Sequence, residues 1–149
     1  MITVILSALG LTAVTVTMHG VGTVASVSRT ASLWTRRKHR LRRLGTELLM
    51  AQLVGMLLLV HLAEAIVWAL FFVMVAGLPD LESAVYFSLT SYTSVGYGDL
   101  VLSEPWRLLG PIEATVGVLM LGWSTGILVI VIGVLYGRRF PALKAPADG

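Results

Sequence analysis

The sequence predicts an all-α membrane protein with three transmembrane helices, one short re-entrant helix and a glycine-rich loop. Three observations support this class. The 149 residues are 56% hydrophobic and only 13% charged, and the mean hydropathy of +0.87 lies outside the usual range of soluble domains. Three apolar stretches reach the ~20 residues that a spanning helix needs. Basic and acidic residues also occupy separate segments of the chain.

The first predicted span covers residues 2–27, within an N-terminal segment of residues 1–28. It is the least apolar of the three, because it is rich in Thr and Gly and contains His19. A cleaved signal peptide is the alternative, but the stretch lacks a basic start and its apolar run is longer than such a peptide has. We therefore expect a spanning helix that flanks the rest of the protein and faces lipid or the second span.

A basic segment, residues 29–46, follows the first span, and seven Arg and Lys residues fall within 29–43. Basic residues near span ends favour the cytoplasmic side. This segment and the tail 138–149 are therefore predicted to be cytoplasmic, with the N-terminus outside and the protein in the cytoplasmic (inner) membrane.

The basic residues allow two interpretations. They orient the chain, or they also bind anionic lipid, since each basic residue beside an anionic leaflet contributes on the order of 1 kcal/mol. Nucleic-acid binding is not expected, because a short loop tethered to a membrane offers no reading module.

The second and third spans, residues 47–76 and 110–136, enclose a segment that faces the outside. Within it, Pro79 and Asp80 are typical of a helix start, and residues 81–92 are too few to cross a membrane. We predict a re-entrant half-helix whose C-terminal, partly negative end points into the membrane and attracts cations.

The sequence TSVGYGD, residues 93–99, follows the half-helix. Glycine-rich backbone within a bilayer must be covered by protein or line a water-filled path. Together with the aromatic pair Tyr86 and Phe87 and with Trp106, this motif resembles the pore module of tetrameric potassium channels, over about residues 50–137. The resemblance implies a K⁺-selective channel with its pore module at residues 47–137. It also implies a homotetramer, because one filter strand per chain cannot surround an ion.

The resemblance further implies that backbone carbonyls of the motif replace the hydration shell of K⁺. Consecutive carbonyls can face one axis only if the backbone alternates in handedness, which glycine permits. The predicted filter consists of Ser94, Val95, Gly96, Tyr97 and Gly98. K⁺ is then the permeant ion, and no cofactor is expected.

Ser94 and Asp99 lie at the two ends of the predicted filter, and each carries an expectation of its own. Ser94 stands where the family usually has Thr, which keeps the hydroxyl but removes a methyl group. Asp99 lies at the outer mouth, and the resemblance suggests Tyr86 as its hydrogen-bond partner. The simpler alternative is that Asp99 caps the outer turn and concentrates cations.

Glu64 lies near the middle of the second span, where a bare carboxylate costs at least ~2.5 kcal/mol. We expect it to face protein and to hydrogen-bond either to the last span, near Trp123, Ser124 and Thr125, or to the rear of the half-helix. Two roles remain open, a static brace and a group whose protonation biases gating.

His19, His61 and Glu64 also raise the alternative of a metal site, because two imidazoles and a carboxylate suit Zn²⁺. Counting from the predicted span ends, however, His19 lies nearer the inner surface than His61 by roughly 10 Å. We therefore do not expect these ligands to meet.

Gly117 and Gly122 in the last span suggest a hinge that opens the inner mouth of the pore. Small residues in membrane helices also allow close packing, and the sequence does not separate the two roles. No span carries regularly spaced Arg or Lys, so a voltage-sensing helix of the usual kind is not expected.

Two other functions compete with the channel. One is a nonconducting accessory membrane subunit, and the other is a single repeat of a cation transporter, which normally places several such repeats in one chain. An enzyme is not expected, because the sequence contains no nucleophile and base pair, acid pair or phosphate-binding loop, and has no cysteine.

Overall fold

The computed structural model of the chain describes residues 1–37 and 43–137. This part contains four α-helices, which are α1 (Ile2–Arg37), α2 (Arg43–Met74), α3 (Leu81–Tyr92) and α4 (Leu109–Gly137). A single 3₁₀ turn, Trp106–Leu108, leads into α4. The described residues form no strand, and the predicted tail 138–149 lies outside them.

Three segments are long and apolar enough to cross a membrane: Ile2–Arg36, Gly45–Met74 and Trp106–Leu135. Many of their large apolar side chains are exposed on the surface of the chain, including Leu6, Leu59 and Ile130. Such a surface suits lipid or neighbouring helices rather than water. The chain is therefore a multi-pass, all-α membrane protein, as predicted.

Helix α1 is longer than the sequence suggested. The predicted span ended at residue 27, but the helix continues to Arg37, and α2 already begins at Arg43. Residues 23–37 contain neither Gly nor Pro, so nothing in them stops a helix where the apolar stretch ends. Much of the segment 29–46, predicted as a loop, is thus helical in its described residues. Residues 38–42 lie outside the described part.

The half-helix has the bounds that the sequence predicted. Asp80 is its N-cap residue, and the backbone N–H of Ser83 donates to Asp80 Oδ1 at 2.7 Å, which satisfies one of the free N–H groups at the helix start. Helix α3 packs between α2 and α4. It buries Ala84, Phe87, Ser88 and Tyr92.

The core of the chain lies where the half-helix meets the spans, and aromatic side chains dominate it. The ring of Phe72 in α2 lies 5.2 Å from that of Phe87 in α3. Helix α1 packs against α2, as the sequence analysis allowed, and it also contacts α4. It approaches α2 closely at Gly22, where an added Cβ would meet Val60 at 2.5 Å.

Candidate ion-conduction site and buried polar cluster

The backbone of TSVGYGD alternates in handedness. Ser94, Gly96 and Gly98 have φ angles of 60°, 51° and 77°. Val95 and Tyr97, which lie between them, are not among the residues with positive φ. Glycine adopts a positive φ at little cost, whereas Ser94 is the one non-glycine residue in the described part that does so. Non-glycine residues held at a positive φ are strained, and they cluster at functional sites.

Hydrogen bonds tie the start of this segment to the end of α3. The N–H of Ser94 donates to the carbonyl of Ser91 at 2.8 Å, and the N–H of Gly96 donates to the carbonyl of Thr90 at 3.0 Å. Amide groups of the motif are therefore engaged with the half-helix. These N–H groups hold the motif against the half-helix, which leaves its carbonyls able to face another direction.

A second set of contacts holds the outer end of the motif. The hydroxyl of Tyr86 donates to Asp99 Oδ2 at 2.7 Å, which is the contact that the resemblance suggested. The rings of Tyr86 and Tyr97 stack with their centroids 6.5 Å apart. The hydrogen bond to Asp99 and the negative charge of that residue favour the protonated phenol, so the pKa of Tyr86 is raised.

The side chains of the motif are uncovered in a single chain. Val95 is 53% exposed and Tyr97 is 71% exposed. Beside them lies an open cavity of about 340 Å³, lined by residues of α3, the motif and α4, among them Phe87, Thr90, Ser94, Gly96 and Pro111. Large apolar side chains exposed together beside such a cavity are typical of a surface that packs against another chain.

Glu64 lies in a buried polar cluster formed by all four α-helices. Its side chain is fully buried. His19 Nδ1 of α1 lies 3.0 Å from Glu64 Oε1, and the hydroxyl of Tyr92, at the end of α3, donates to Glu64 Oε2. Glu64 thus faces protein and bonds to the half-helix, as one form of the prediction had it, while its partner in α1 was not foreseen.

The last span joins this cluster through the histidines. Ser124 Oγ lies 3.0 Å from His61 Nε2 and 3.4 Å from His19 Nε2. Ser124 was placed at the correct depth by the sequence analysis, but it contacts Glu64 only indirectly.

The expectation that His19 and His61 differ in depth by roughly 10 Å is wrong. Their ring centroids are 5.1 Å apart, and ligand atoms of His19, His61 and Glu64 all lie within 4.8 Å of one another. The reason is the length of the helices. His19 lies 18 residues before Arg37 and His61 lies 18 residues after Arg43, so the two histidines are level across the pair of helices.

A second buried acid, Glu113 in α4, was not singled out by the sequence analysis. It is fully buried. Ser88 Oγ of the half-helix contacts both Glu113 Oε1 and the carbonyl of Ala65, the latter at 2.6 Å, while Glu113 Oε2 has no hydrogen-bond partner among the described residues. The signal that the sequence offered was the position of Glu113 one turn inside an apolar span, where an acid is expected to be buried and partnered.

Gly117 and Gly122, predicted as a possible hinge, differ in their surroundings. A Cβ added at Gly117 would lie 2.0 Å from the backbone oxygen of Tyr92. Gly117 thus permits a close approach of the half-helix to α4. At Gly122 an added Cβ would have no described neighbour within 4 Å beyond the adjacent residues and backbone of its own helix, and the hinge role of both residues stays a prediction.

Fold and site together define a class: a multi-pass helical membrane protein in which a half-helix and a glycine motif of alternating backbone handedness lie between two spans. The sequence profile of the family described as "Ion channel" matches residues 55–133. The match covers more than half of the chain, from α2 to near the end of α4, and so includes the half-helix and the motif. The chain belongs to this ion channel family. Curated proteins and solved structures give no significant match.

Proposed function

We propose that the protein is a K⁺-selective channel in which TSVGYGD forms the selectivity filter. The observation that carries this proposal is the alternation of φ, positive at Ser94, Gly96 and Gly98. Reversing handedness at every second residue turns successive carbonyls toward one side of the strand, whereas a regular strand points them to alternate sides. A row of carbonyls is the ligand set that replaces the hydration shell of K⁺.

The half-helix contributes to the electrostatics of this site. Helix α3 ends at Tyr92 and the motif begins at the next residue. The C-terminal end of a helix carries a partial negative charge, equivalent to about half an elementary charge. An ion beside the motif therefore lies near a negative helix end, which favours a cation without placing a full charge in the pore.

We propose a homotetramer as the conducting unit. A single strand presents carbonyls to only one side of an ion, so closed symmetry must supply the others. The exposure of Val95 and Tyr97 and the cavity beside Ser94 and Gly96 supply an apolar surface on which a neighbouring copy can pack. Four copies around one axis cover these side chains and complete the ring of carbonyls.

The decisive experiment is K⁺ flux into liposomes that contain the purified protein, with Na⁺ as the competing ion. Wild type should pass K⁺ in strong preference to Na⁺. Gly96→Ala should abolish conduction or selectivity, because a Cβ resists the φ of 51° that this position requires.

Gly77→Ala is the matched control for this experiment. Gly77 has a φ of 78° and open space around it, like Gly96, but it precedes the half-helix. The two substitutions impose a similar local strain, and only one of them lies in the filter. Conduction that fails equally in both variants, or survives unchanged in Gly96→Ala, contradicts the filter assignment. A wild type without flux favours the accessory subunit.

We further propose that the N-terminus and the filter mouth face outside and that the α1–α2 connection is cytoplasmic. The chain has no cysteine, so single cysteines can be labelled selectively. With an impermeant reagent applied to intact cells, Ser103→Cys should react and Ser32→Cys should not. Both positions are exposed in the chain, and the reverse pattern would invert the topology.

Finally, we propose that anionic lipid binds at residues 29–43. Residues 38–42 lie outside the described part of the chain. In the described part, Trp34 lines an apolar pocket of about 230 Å³ between α1 and α4, together with Thr30 and Ile130. An acyl chain suits such a surface beside basic residues. Flux that rises with the content of anionic lipid in the liposomes would support this contact.

A further inference from the structure

The buried cluster of His19, His61 and Glu64 has the composition and the spacing of a metal centre, and ion conduction does not account for it. His19 Nδ1 lies 3.0 Å from Glu64 Oε1, and His61 Nδ1 lies 3.6 Å from Glu64 Oε2. All three side chains lie in the interior, with exposed fractions of 0%, 11% and 0% in the order named. We propose that this cluster binds one divalent transition-metal ion of the Zn²⁺ type.

The distances suit a tetrahedral ion. Zn²⁺ binds nitrogen and oxygen at ~2.0–2.2 Å, so neighbouring ligand atoms of a tetrahedral site are roughly 3.3 Å apart. The two measured separations, 3.0 and 3.6 Å, lie on either side of this value. The two separations involve different oxygens of Glu64, and the three ligand atoms lie within 4.8 Å of one another. Closing the site around one ion therefore needs side-chain movements on the order of an ångström.

Tyr92 supplies the fourth ligand. Its Oη lies 2.8 Å from His61 Nδ1 and also contacts Glu64 Oε2, so it lies against two of the other three ligand groups. Four protein ligands make a closed site, which is the structural type of zinc centre. When the metal binds, Tyr92 coordinates as phenolate and its proton leaves to solvent.

Charge balance supports this ligand set. No lysine or arginine of the described residues is paired with Glu64, and a buried carboxylate without a compensating cation is costly. One Zn²⁺ with one carboxylate and one phenolate gives a neutral site. A neutral centre is the form that the interior of a membrane helix bundle tolerates best.

Ser124 provides the outer contacts that a metal-bound histidine requires. A histidine that binds metal through Nδ1 carries its proton on Nε2 and donates it to a neighbouring acceptor. Ser124 Oγ lies 3.0 Å from His61 Nε2 and 3.4 Å from His19 Nε2, and a hydroxyl oxygen has two lone pairs. One side chain of α4 can thus orient both imidazoles with their Nδ1 atoms toward Glu64.

The experiment uses the full chain with an affinity tag that contains no histidine, purified in detergent, stripped with a chelator and titrated with Zn²⁺ or Co²⁺. We expect about one ion per chain, a Co²⁺ visible spectrum of the tetrahedral type, and a tyrosinate absorption that appears with metal. Since the chain has no cysteine, thiolates contribute neither ligands nor absorption bands.

Variants identify the ligands. His19→Ala and His61→Ala should each remove saturable binding, and Ser124→Ala should weaken it by ~10–100-fold, as loss of an orienting contact does. His39→Ala is the matched control, because His39 is the remaining histidine of the chain and belongs to the basic segment; it should bind like wild type.

Two results would overturn the site. One is wild-type protein that shows no saturable binding of either ion, in which case the cluster is a hydrogen-bonded network around Glu64 that holds a proton instead. The other is unchanged binding in His19→Ala and His61→Ala. These measurements do not involve flux, so the metal site and the channel proposal can fail independently.

Discussion

The two ends of the half-helix α3 are held in different ways. At the C-terminal end, Tyr92 is 1% exposed, its hydroxyl enters the cluster around Glu64, and its backbone oxygen lies against Gly117. At the N-terminal end, Asp80 is exposed and caps the helix through Ser83, which lies three residues further on. The buried end depends on distant parts of the chain, and the exposed end depends on its own first turn.

This difference predicts where substitutions act. Contacts at the buried end cannot be replaced by water, so their loss leaves clashes or unpaired polar groups. Contacts at the exposed end compete with water and are screened. Because the buried end is also the end that leads into the motif TSVGYGD, the proposed filter, disturbing it should affect conduction as well as stability.

Gly117→Ala should have the largest effect, because it acts directly on the buried end. The new Cβ would lie 2.0 Å from the backbone oxygen of Tyr92, and a backbone atom cannot rotate away as a side chain does. Overpacking a filled interior typically costs ~1–3 kcal/mol and occasionally more. We expect a lower thermal unfolding temperature in detergent together with a loss of K⁺ flux.

Gly122→Ala separates this clash from a hinge. Among the described residues, a Cβ at Gly122 would meet nothing within 4 Å beyond the adjacent part of its own helix, so stability should be close to that of wild type. If Gly122→Ala alters open probability at unchanged stability, the hinge role gains support. Equal destabilisation in the two variants would contradict the packing that distinguishes them.

The buried acids provide the second test, with an effect of intermediate size. Glu64 faces donors on both carboxylate oxygens, one from His19 and one from Tyr92. In Glu64→Gln the amide NH₂ takes the place of one accepting oxygen. Either a buried donor is then left unsatisfied, or His19 must change tautomer and donate through Nε2 to Ser124, 3.4 Å away; an unsatisfied buried group costs ~1–3 kcal/mol. We expect a clear drop in the thermal unfolding temperature.

Glu113→Gln is the matched comparison and should cost less than ~1 kcal/mol. Ser88 carries a single hydroxyl proton and contacts two groups, the carbonyl of Ala65 and Glu113 Oε1. Since a carbonyl only accepts, the Glu113 carboxyl in its neutral form can supply the second proton, and a glutamine amide does the same. A drop as large as that of Glu64→Gln would show that Glu113 is needed as an anion.

The smallest effect is expected at the exposed end, and it should depend on pH. The backbone N–H and the hydroxyl of Ser83 donate to the carboxylate, so the pKa of Asp80 is lowered. A lowered pKa in the folded state means that the stabilisation is present above about pH 4, the ordinary range for Asp, and is lost as the pH falls through the folded-state value.

Thermal unfolding of Asp80→Asn and wild type, compared at neutral pH and below pH 4, checks this sign. Asn caps a helix nearly as well as Asp but does not titrate. The two proteins should therefore differ little at neutral pH, and the acid-dependent loss should be smaller in the variant. An identical acid response in both proteins would place the titrating group elsewhere.

Local rules were sufficient for the exposed end of α3 and for the existence of the spans. Pro79, Asp80 and the short apolar stretch predicted the bounds 81–92, because capping and helix length depend on neighbours in sequence. The alternating backbone of the motif was expected from Gly96 and Gly98. The positive φ of Ser94 was not, because a serine carries no signal for that conformation.

The buried end could not be predicted in the same way, because it depends on the relative position of four helices. An error in the end of α1, which continues to Arg37, moved the expected position of His19 away from its partners by about two helical turns. The contact of Gly117 with Tyr92 likewise depends on how α3 lies against α4, which hydropathy does not specify. An error in the predicted end of a helix shifts every contact predicted between that helix and its neighbours. A helix cap is not affected in this way, because it depends only on residues close in sequence.

The pairing of α1 with α2 also has a consequence for membrane insertion. The first helix is the least apolar of the spans, yet Thr15 accepts a hydrogen bond from Trp68 Nε1 at 2.9 Å, and His19 meets Glu64 at 3.0 Å. Both partners belong to the next helix to leave the ribosome. A helical hairpin of α1 and α2 can enter the bilayer as one unit and pair these polar groups before α3 and α4 have been translated. The order of the helices along the chain therefore offsets the weak hydropathy of α1.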